Sequence, residues 1–453
     1  MPYFAPDNFS YRPYIFPPFT GGYTFTQATD SDCVDYTNVE MMRDKYARSR
    51  RGAELCHTAG ALGSAQFAGL IIRPIVPNST TAGALPSVLM IMPKVGTKTF
   101  YFTDLSQYNP TTGLLGAIQT STLPTAPPTP DPSSPLGWDF VQAVSGADKT
   151  GNSIILMAHP SWDHVVSWDG TTTAASNITA SPKTCYITYH MDNRLWAITP
   201  SRTNLKFSEP GDPSTWPTEN DLAISTSYGP LMALFSAPDK LLIFCQNGIL
   251  SLTGNPDDDN VRVNVEHPNI GISSPQSLAY FGNTALFVFN GSVYQYSGTI
   301  SLLSDAVRDS IGNGPSYPAS LSDLSYIVRV PTSSGTGSDA WVFDRAHYGT
   351  WARWQYNGSS GLGSGVNYFP GIAFYGTNYY MAGADGNLYT QQHWNMTNSK
   401  RGGTISPDKS YCYVPDYNNQ PVVMTVETKP VNMNDDLLTK AWRGINIYGY
   451  GSN

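Results

Sequence analysis

One unit recurs along this chain and limits what it can become. Two consecutive copies occupy 191–254: DNRLWAI followed by NLKFSEPGDPSTW, then DKLLIFC followed, across Asn247 and Gly248, by ILSLTG. Each copy is an apolar run, a turn and a second run with alternating side chains, the signature of a β-hairpin. Further hairpins read at 88–104, 153–170, 285–298, 339–356 and 379–392, so seven of them start at Val88, Ile154, Leu195, Leu241, Ala285, Trp341 and Tyr379. The middle steps fall in the range of about 40–45 residues that a four-stranded propeller blade occupies. The wider steps coincide with Gly/Ser/Pro-rich stretches at 105–137 and 312–337, which read as insertions.

A four-stranded blade cannot bury both faces by itself. Arranged radially, each blade covers a face of the next, and no long edge stays open. The expected fold is therefore all-β, a β-propeller of six or seven blades with an extended N-terminal arm and a short C-terminal β segment. Residues 1–60 read as arm and assembly segment and 61–403 as propeller. Residues 404–453 read as a β segment that closes the propeller or forms a small partial sandwich. Closure must join the first blade to the last, and 60–80 or 405–450 are the stretches expected to do it. One helical signal interrupts the strands: SLLSDAVRDSIG (301–312), with Ser304 as N-cap and Gly312 as stop, predicts a short accessory helix.

The balance of residue types fits many strands and turns. Charged residues make up 13% of the 453-residue chain and aromatics 12%, with 40 Gly and 35 Pro as punctuation. So few charges suit a surface largely covered by partners. The net charge of −8 argues against a protein that grips nucleic-acid backbone, which needs a basic face. The densest basic cluster is Arg43, Lys45, Arg48, Arg50 and Arg51, read as a solvated helix or loop or as an anionic contact. Five scattered Cys (33, 56, 185, 245, 412) lack metal-site spacing and read as reduced thiols of a cytosol-made protein. The N-terminus lacks a signal-peptide pattern, and no apolar run approaches the length of a membrane span.

A search for chemistry finds no nucleophile elbow, phosphate loop or zinc signature. His159 and His164 in PSWDHV are a conceivable metal pair, but two loop histidines without further ligands read better as surface residues. Asp257, Asp258 and Asp259 lack the Gly and terminal Glu of a calcium hand and read as a solvated turn. FSEPGDPSTW (207–216) is loosely similar to the Asp-box of sialidase propellers, but its spacing differs and it occurs once. No catalytic, cofactor-binding or metal-binding residue is assigned, and the chain is not expected to be an enzyme.

A wider resemblance rests on DNRLWAI, NLKFSEPGDPSTWP, DKLLIFCQNGILSLTGN, GISSPQS and NGSVYQYSG, at Asp192–Leu195, Asn204–Trp216, Leu241–Gly254, Gly271–Ser277 and Asn290–Gly298. Together these resemble the tail nozzle (tail hub, or packaged-DNA stabilisation) proteins of short-tailed bacteriophages. The resemblance implies a β-propeller without cofactor or catalysis. It would be a structural virion protein in a homo-oligomeric ring of six, below the portal and adaptor. Such a ring, assembled in the host cytoplasm, extends the conduit for double-stranded DNA, retains the genome, and carries tail fibres or spikes and a plug or needle. No membrane insertion is expected. The alternative is a glycan-binding or glycan-cleaving propeller of the tail, suggested by ten Trp and many Tyr that could stack on sugars. The competing place for those aromatics is blade core and ring interface.

Overall fold

The computed structural model describes residues 53–392 apart from short internal stretches, the longest being 77–86, 130–139 and 357–370, together with strands at 22–23, 32–37, 39–41, 47–49 and 425–428. The hairpins read from the sequence are neighbouring strands within seven successive antiparallel sheets. Blade 1 is Ile71–Ile75, Ser87–Pro93, Thr99–Asp104 and Gln119–Thr122; blade 2 is Gln142–Ala147, Ser153–Ala158, Val166–Trp168 and Ser176–Asn177. Blade 3 is Tyr186–His190, Arg194–Ile198, Asn204–Phe207 and Asp221–Ala223; blade 4 is Leu231–Ser236, Leu241–Cys245, Ile249–Thr253 and Arg262–His267. Blade 5 is Ala279–Phe281, Thr284–Phe289, Ser292–Tyr296 and Ile300–Leu302; blade 6 is Ala319–Leu321, Ser325–Pro331, Ser338–Asp344 and Thr350–Tyr356. Blade 7 takes Ile372–Tyr375, Asn378–Ala382 and Leu388–Gln392 from the end of the described chain and its outer strand, Glu54–Leu55, from the beginning.

The sheets close into a ring because each buries its two faces against different neighbours. In the second strand of blade 1, Ile91 packs toward blade 2 with Ile155 and Trp168, whereas Met90 and Met92 pack toward blade 7 with Tyr380 and Leu388. Blade 2 repeats the division: Ile155 and Met157 meet blade 1, while Ile154, Leu156 and Ala158 meet Ile187, Leu195 and Ala197 of blade 3. Apolar clusters then run through blades 3, 4 and 5 and through blades 5, 6 and 7. The core is a circle of inter-blade layers, which is why central strands such as RLWAI and LLIFC are buried at every position. The fold is a seven-bladed β-propeller.

Three sequence expectations change. The stretch 312–337 is not simply an insertion: it holds Ala319–Leu321 and Ser325–Pro331, the two inner strands of blade 6. The hairpin read at 339–356 is therefore the outer pair of its blade, whereas the other six are middle pairs. Closure comes from Glu54–Leu55, just ahead of the expected 60–80 stretch. Strand Thr425–Thr428 instead pairs with Asp32–Thr37, which adds to the outer strand of blade 6. The accessory helix is a single 3-10 turn at Asp305–Val307. The Ser304 hydroxyl accepts the Val293 amide at 2.7 Å instead of capping a helix, and Val307 and Ile311 are drawn into the core between blades.

The closing strand pairs at only two positions, Leu55 with Tyr389 and Glu54 with Thr390. Side chains reinforce it. The Leu388 amide donates to His57 Nε2 at 3.1 Å, and His57 Nδ1 lies 2.8 Å from the Thr58 oxygen. The Cys56 amide donates to Leu388 O at 3.3 Å. Buried Lys94, on blade 1, donates to the backbone oxygens of Gly386 at 2.5 Å and Ala65 at 2.8 Å.

Candidate functional site

The innermost strands of the blades surround the propeller axis, and a cavity of about 300 Å³ lies where their first halves converge. Its wall takes residues from blades 1, 2, 3, 5, 6 and 7, including Ile72, Arg73, Phe140, Tyr186, Leu278, Tyr280 and Phe374. Side chains lace the inner strands together around it. Arg73 Nε donates to Ala143 O and its Nη1 to Ile72 O, both at 2.8 Å. Both ends of the Gln142 amide are used by blade 3: Nε2 donates to Ile187 O at 2.8 Å, and Oε1 accepts the Ile187 amide at 2.7 Å. Arg73 is the one charged residue among those lining the cavity. Burial, with the neighbouring Tyr280, pushes the Tyr186 phenol pKa up, and Arg73 opposes them.

A second recess opens at the other ends of the inner strands, between the first turns of blades 3, 4 and 5. His190, Ser236, Asp239 and Asn283 line it. His190 Nδ1 lies 2.8 Å from Ser236 Oγ. Burial lowers the imidazole pKa to about 4 against the pull of Asp239, so the ring is neutral near pH 7. At the closing seam, burial lowers His57 as well, and brings Lys94 to about 7 despite Asp385.

The residues singled out from sequence go elsewhere. His159 is buried rather than on the surface, its Nδ1 2.7 Å from Ser161 Oγ and its ring against Trp162. His164 Nδ1 turns to Ser181 O at 3.0 Å. The described residues contain no group of three or more His, Cys, Asp or Glu able to hold a metal ion. Asp257 is not merely solvated: it forms a bidentate ion pair with buried Arg194. The side chains of Asp258 and Asp259, and most of the basic cluster at 43–51, lie outside the described residues. Trp216 donates to Pro213 O at 2.8 Å and packs against the apolar layer between blades 2 and 3, while Asp212 accepts from Ser214 and Thr215, so FSEPGDPSTW is a self-bonded turn. The other Trp of the described residues, at 162, 168, 196, 341, 351 and 354, are buried in the inter-blade layers.

Arg73, Tyr186 and Tyr280 carried no sequence signal. They sit on short inner strands whose residues face two neighbouring blades and the axis, so no clean period marks them. No helix among the described residues is long and apolar enough to cross a membrane.

Comparison with known proteins finds no matching family model and no matching curated protein. Solved structures do align over most of the chain. The computationally designed Ika8 protein is 10% identical, covering 74% of this chain and 98% of its own, with a TM-score of 0.40. Virginiamycin B lyase from Staphylococcus aureus is 11% identical, covering 75% and 98%, at 0.41. The Pan2 WD40 domain of Neurospora crassa is 9% identical, covering 77% and 96%, at 0.44.

Proposed function

We propose that this propeller is a structural subunit of a short-tailed phage tail nozzle. In this reading it is a non-catalytic part of a homo-oligomeric ring that extends the DNA conduit below portal and adaptor and offers rims to fibres and plug. The supporting observation is that the phrases carrying the sequence resemblance form one contacting wedge. Arg194 of DNRLW bonds Ser208 of FSEPGDPSTW, the Ile272 amide of GISSP donates to Cys245 O at 3.0 Å, and the Asn290 amide of NGSVYQYSG donates to Ser273 Oγ at 3.0 Å. Phrases spread over about a hundred residues thus describe one three-dimensional unit, blades 3 to 5.

The axial cavity bears on the arrangement. Its volume suits a small molecule, not a duplex. A DNA conduit would therefore have to lie between copies, with each propeller forming one sector of the wall. Blade 6, extended by Asp32–Thr37 and Thr425–Thr428, is a sheet edge that already accepts added strands, and so suits subunit contacts.

Electron microscopy of the purified chain, and of the tail of the particle that encodes it, tests the reading. The expected image is a ring of propellers about an axial hole wide enough for duplex DNA. A stable monomer absent from the particle would overturn it.

A further inference from the structure

We infer that the outer edge of blade 4, Arg262–His267, pairs with strand Thr425–Thr428 of a second copy of this chain. Resting on the ring reading above, this contact joins the blade 4 edge of one copy to the extended blade 6 sheet of the next.

Blade 4 has an unusual outer strand. It is six residues long, whereas the outer strands of blades 1, 2, 3, 5 and 7 have between two and four. The other long outer strand, Thr350–Tyr356 of blade 6, is followed in its sheet by Asp32–Thr37. The register sets Val263 opposite Leu252 and Val265 opposite Leu250, so the two valines continue buried leucine rows outward. They are nonetheless 40% and 50% exposed. A long edge strand with apolar side chains and unused backbone groups is a template for another strand, and chains that stay apart shorten, charge or cover such edges. Here the ladder is regular from Val265 to Arg262, and no proline interrupts the strand. Glu266 is tied to Lys240 at 3.0 Å, which leaves Arg262 as the exposed charge of this strand.

The occupant follows from the second open edge of the same chain. Thr425–Thr428 pairs with Asp32–Thr37 along one side and with no described strand along the other. These two added strands contain Asp32, Asp35 and Glu427 and no basic residue, so an acidic edge is available to a strand whose exposed charge is Arg262. An antiparallel register that sets Glu427 opposite Arg262 also sets Val426 opposite Val263 and Thr425 opposite Asn264. Opposite charges and paired β-branched residues at facing positions are what stabilise neighbouring strands. One edge of each kind per chain makes the contact head-to-tail, and such contacts close into a ring when the rotation between copies allows.

Sedimentation velocity of the full chain over a range of concentrations, with electron microscopy of the associated species, tests this contact. The unsubstituted chain should associate into rings. Val265→Lys, at an exposed position, should keep the melting temperature and weaken association at least about tenfold by placing a charge inside the contact. Arg262→Glu and Glu427→Arg should each fail to associate alone. An equimolar mixture of the two should recover, because every contact in an alternating assembly then pairs opposite charges. Phe281→Lys, at an exposed position on the inner strand of blade 5, should leave association unchanged. Rings that survive Val265→Lys, a mixture that fails to recover, or an equal loss in Phe281→Lys would each overturn the contact and leave the nozzle reading standing. A chain that stays monomeric in solution overturns the contact too, and the nozzle reading falls with it only if the particle also lacks the chain.

Discussion

Arg194 donates through Nη1 to the backbone oxygen of Ser208 at 2.9 Å, and the Ser208 hydroxyl accepts the Leu195 amide at 3.0 Å. The guanidinium is buried, lies over the Phe207 ring and takes Asp257 of blade 4 as its counter-ion. One side chain thus joins two strands of blade 3 to the loop after the third strand of blade 4. Arg194→Ala should destabilise the chain by about 2–3 kcal/mol, from the lost carbonyl bond and the void left by a large buried side chain. Asp257 is half exposed, so its own charge can return to water. Urea unfolding of the variant measures the loss, and a midpoint equal to that of the unsubstituted chain would contradict this role.

Acid should loosen the molecule in a defined window. Burial lowers the pKa of His57, His159 and His190, the last two to about 4 from an ordinary 6.5. Between those values the unfolded chain binds more protons than the folded one, so stability rises with pH. The contribution is complete above about pH 6.5 and is lost as pH falls toward 4, on the order of 3 kcal/mol for a fully buried ring. Melting temperatures recorded from pH 7.5 to 4.5 should fall, and His159→Gln should flatten the profile. Parallel profiles for the two proteins would refute the assignment.

The seam between blades 7 and 1 should respond to a conservative change. His57 Nε2 accepts the Leu388 amide, which a protonated ring cannot do. His57→Phe leaves that amide without its partner and should cost about 1–3 kcal/mol. Hydrogen exchange at Leu388 should quicken in the variant, and unchanged protection would count against the role.

Backbone closeness at Gly271 forbids a side chain. A Cβ there would sit 2.4 Å from Gln246 O and 2.5 Å from Cys245 O, both main-chain atoms that cannot swing away. Gly271→Ala should therefore cost about 1–3 kcal/mol through forced separation of blades 4 and 5. Gly282→Ala, where φ is +57 and nothing lies within 4 Å, should cost only about 1 kcal/mol from its left-handed backbone. Thermal denaturation of the pair checks the order.

Cys56, Cys185 and Cys245 are buried free thiols, and burial pushes Cys245 up to about 12. They should resist alkylation in the native chain at pH 8 and react once it is unfolded, as peptide mass spectrometry would show. Rapid native labelling of Cys245 would contradict its burial.

The middle hairpins were legible because their strands are buried on both faces and end in sharp turns: RLWAI and LLIFC announce themselves as apolar runs. Blade 6 misled because its inner strand is three residues long and its second strand, SYIVRVP, lies in a Gly/Ser/Pro-rich stretch. Outer strands such as Gln119–Thr122 and Arg262–His267 are largely exposed and polar enough to read as loop. Arg194 was visible only as part of a phrase, its role as a tie between blades hidden by 63 residues of separation from Asp257.

Sequence alone determined that this chain is a series of β-hairpins which must satisfy one another sideways, because local alternation and turn chemistry are written in neighbouring residues. Blade number, the strand that closes the ring, and the placing of Arg73, Tyr186 and Tyr280 in one cavity wall at the axis were decided by tertiary structure. Those features depend on which distant surfaces share a boundary when seven twisted sheets close into a circle, and no local pattern carries that information.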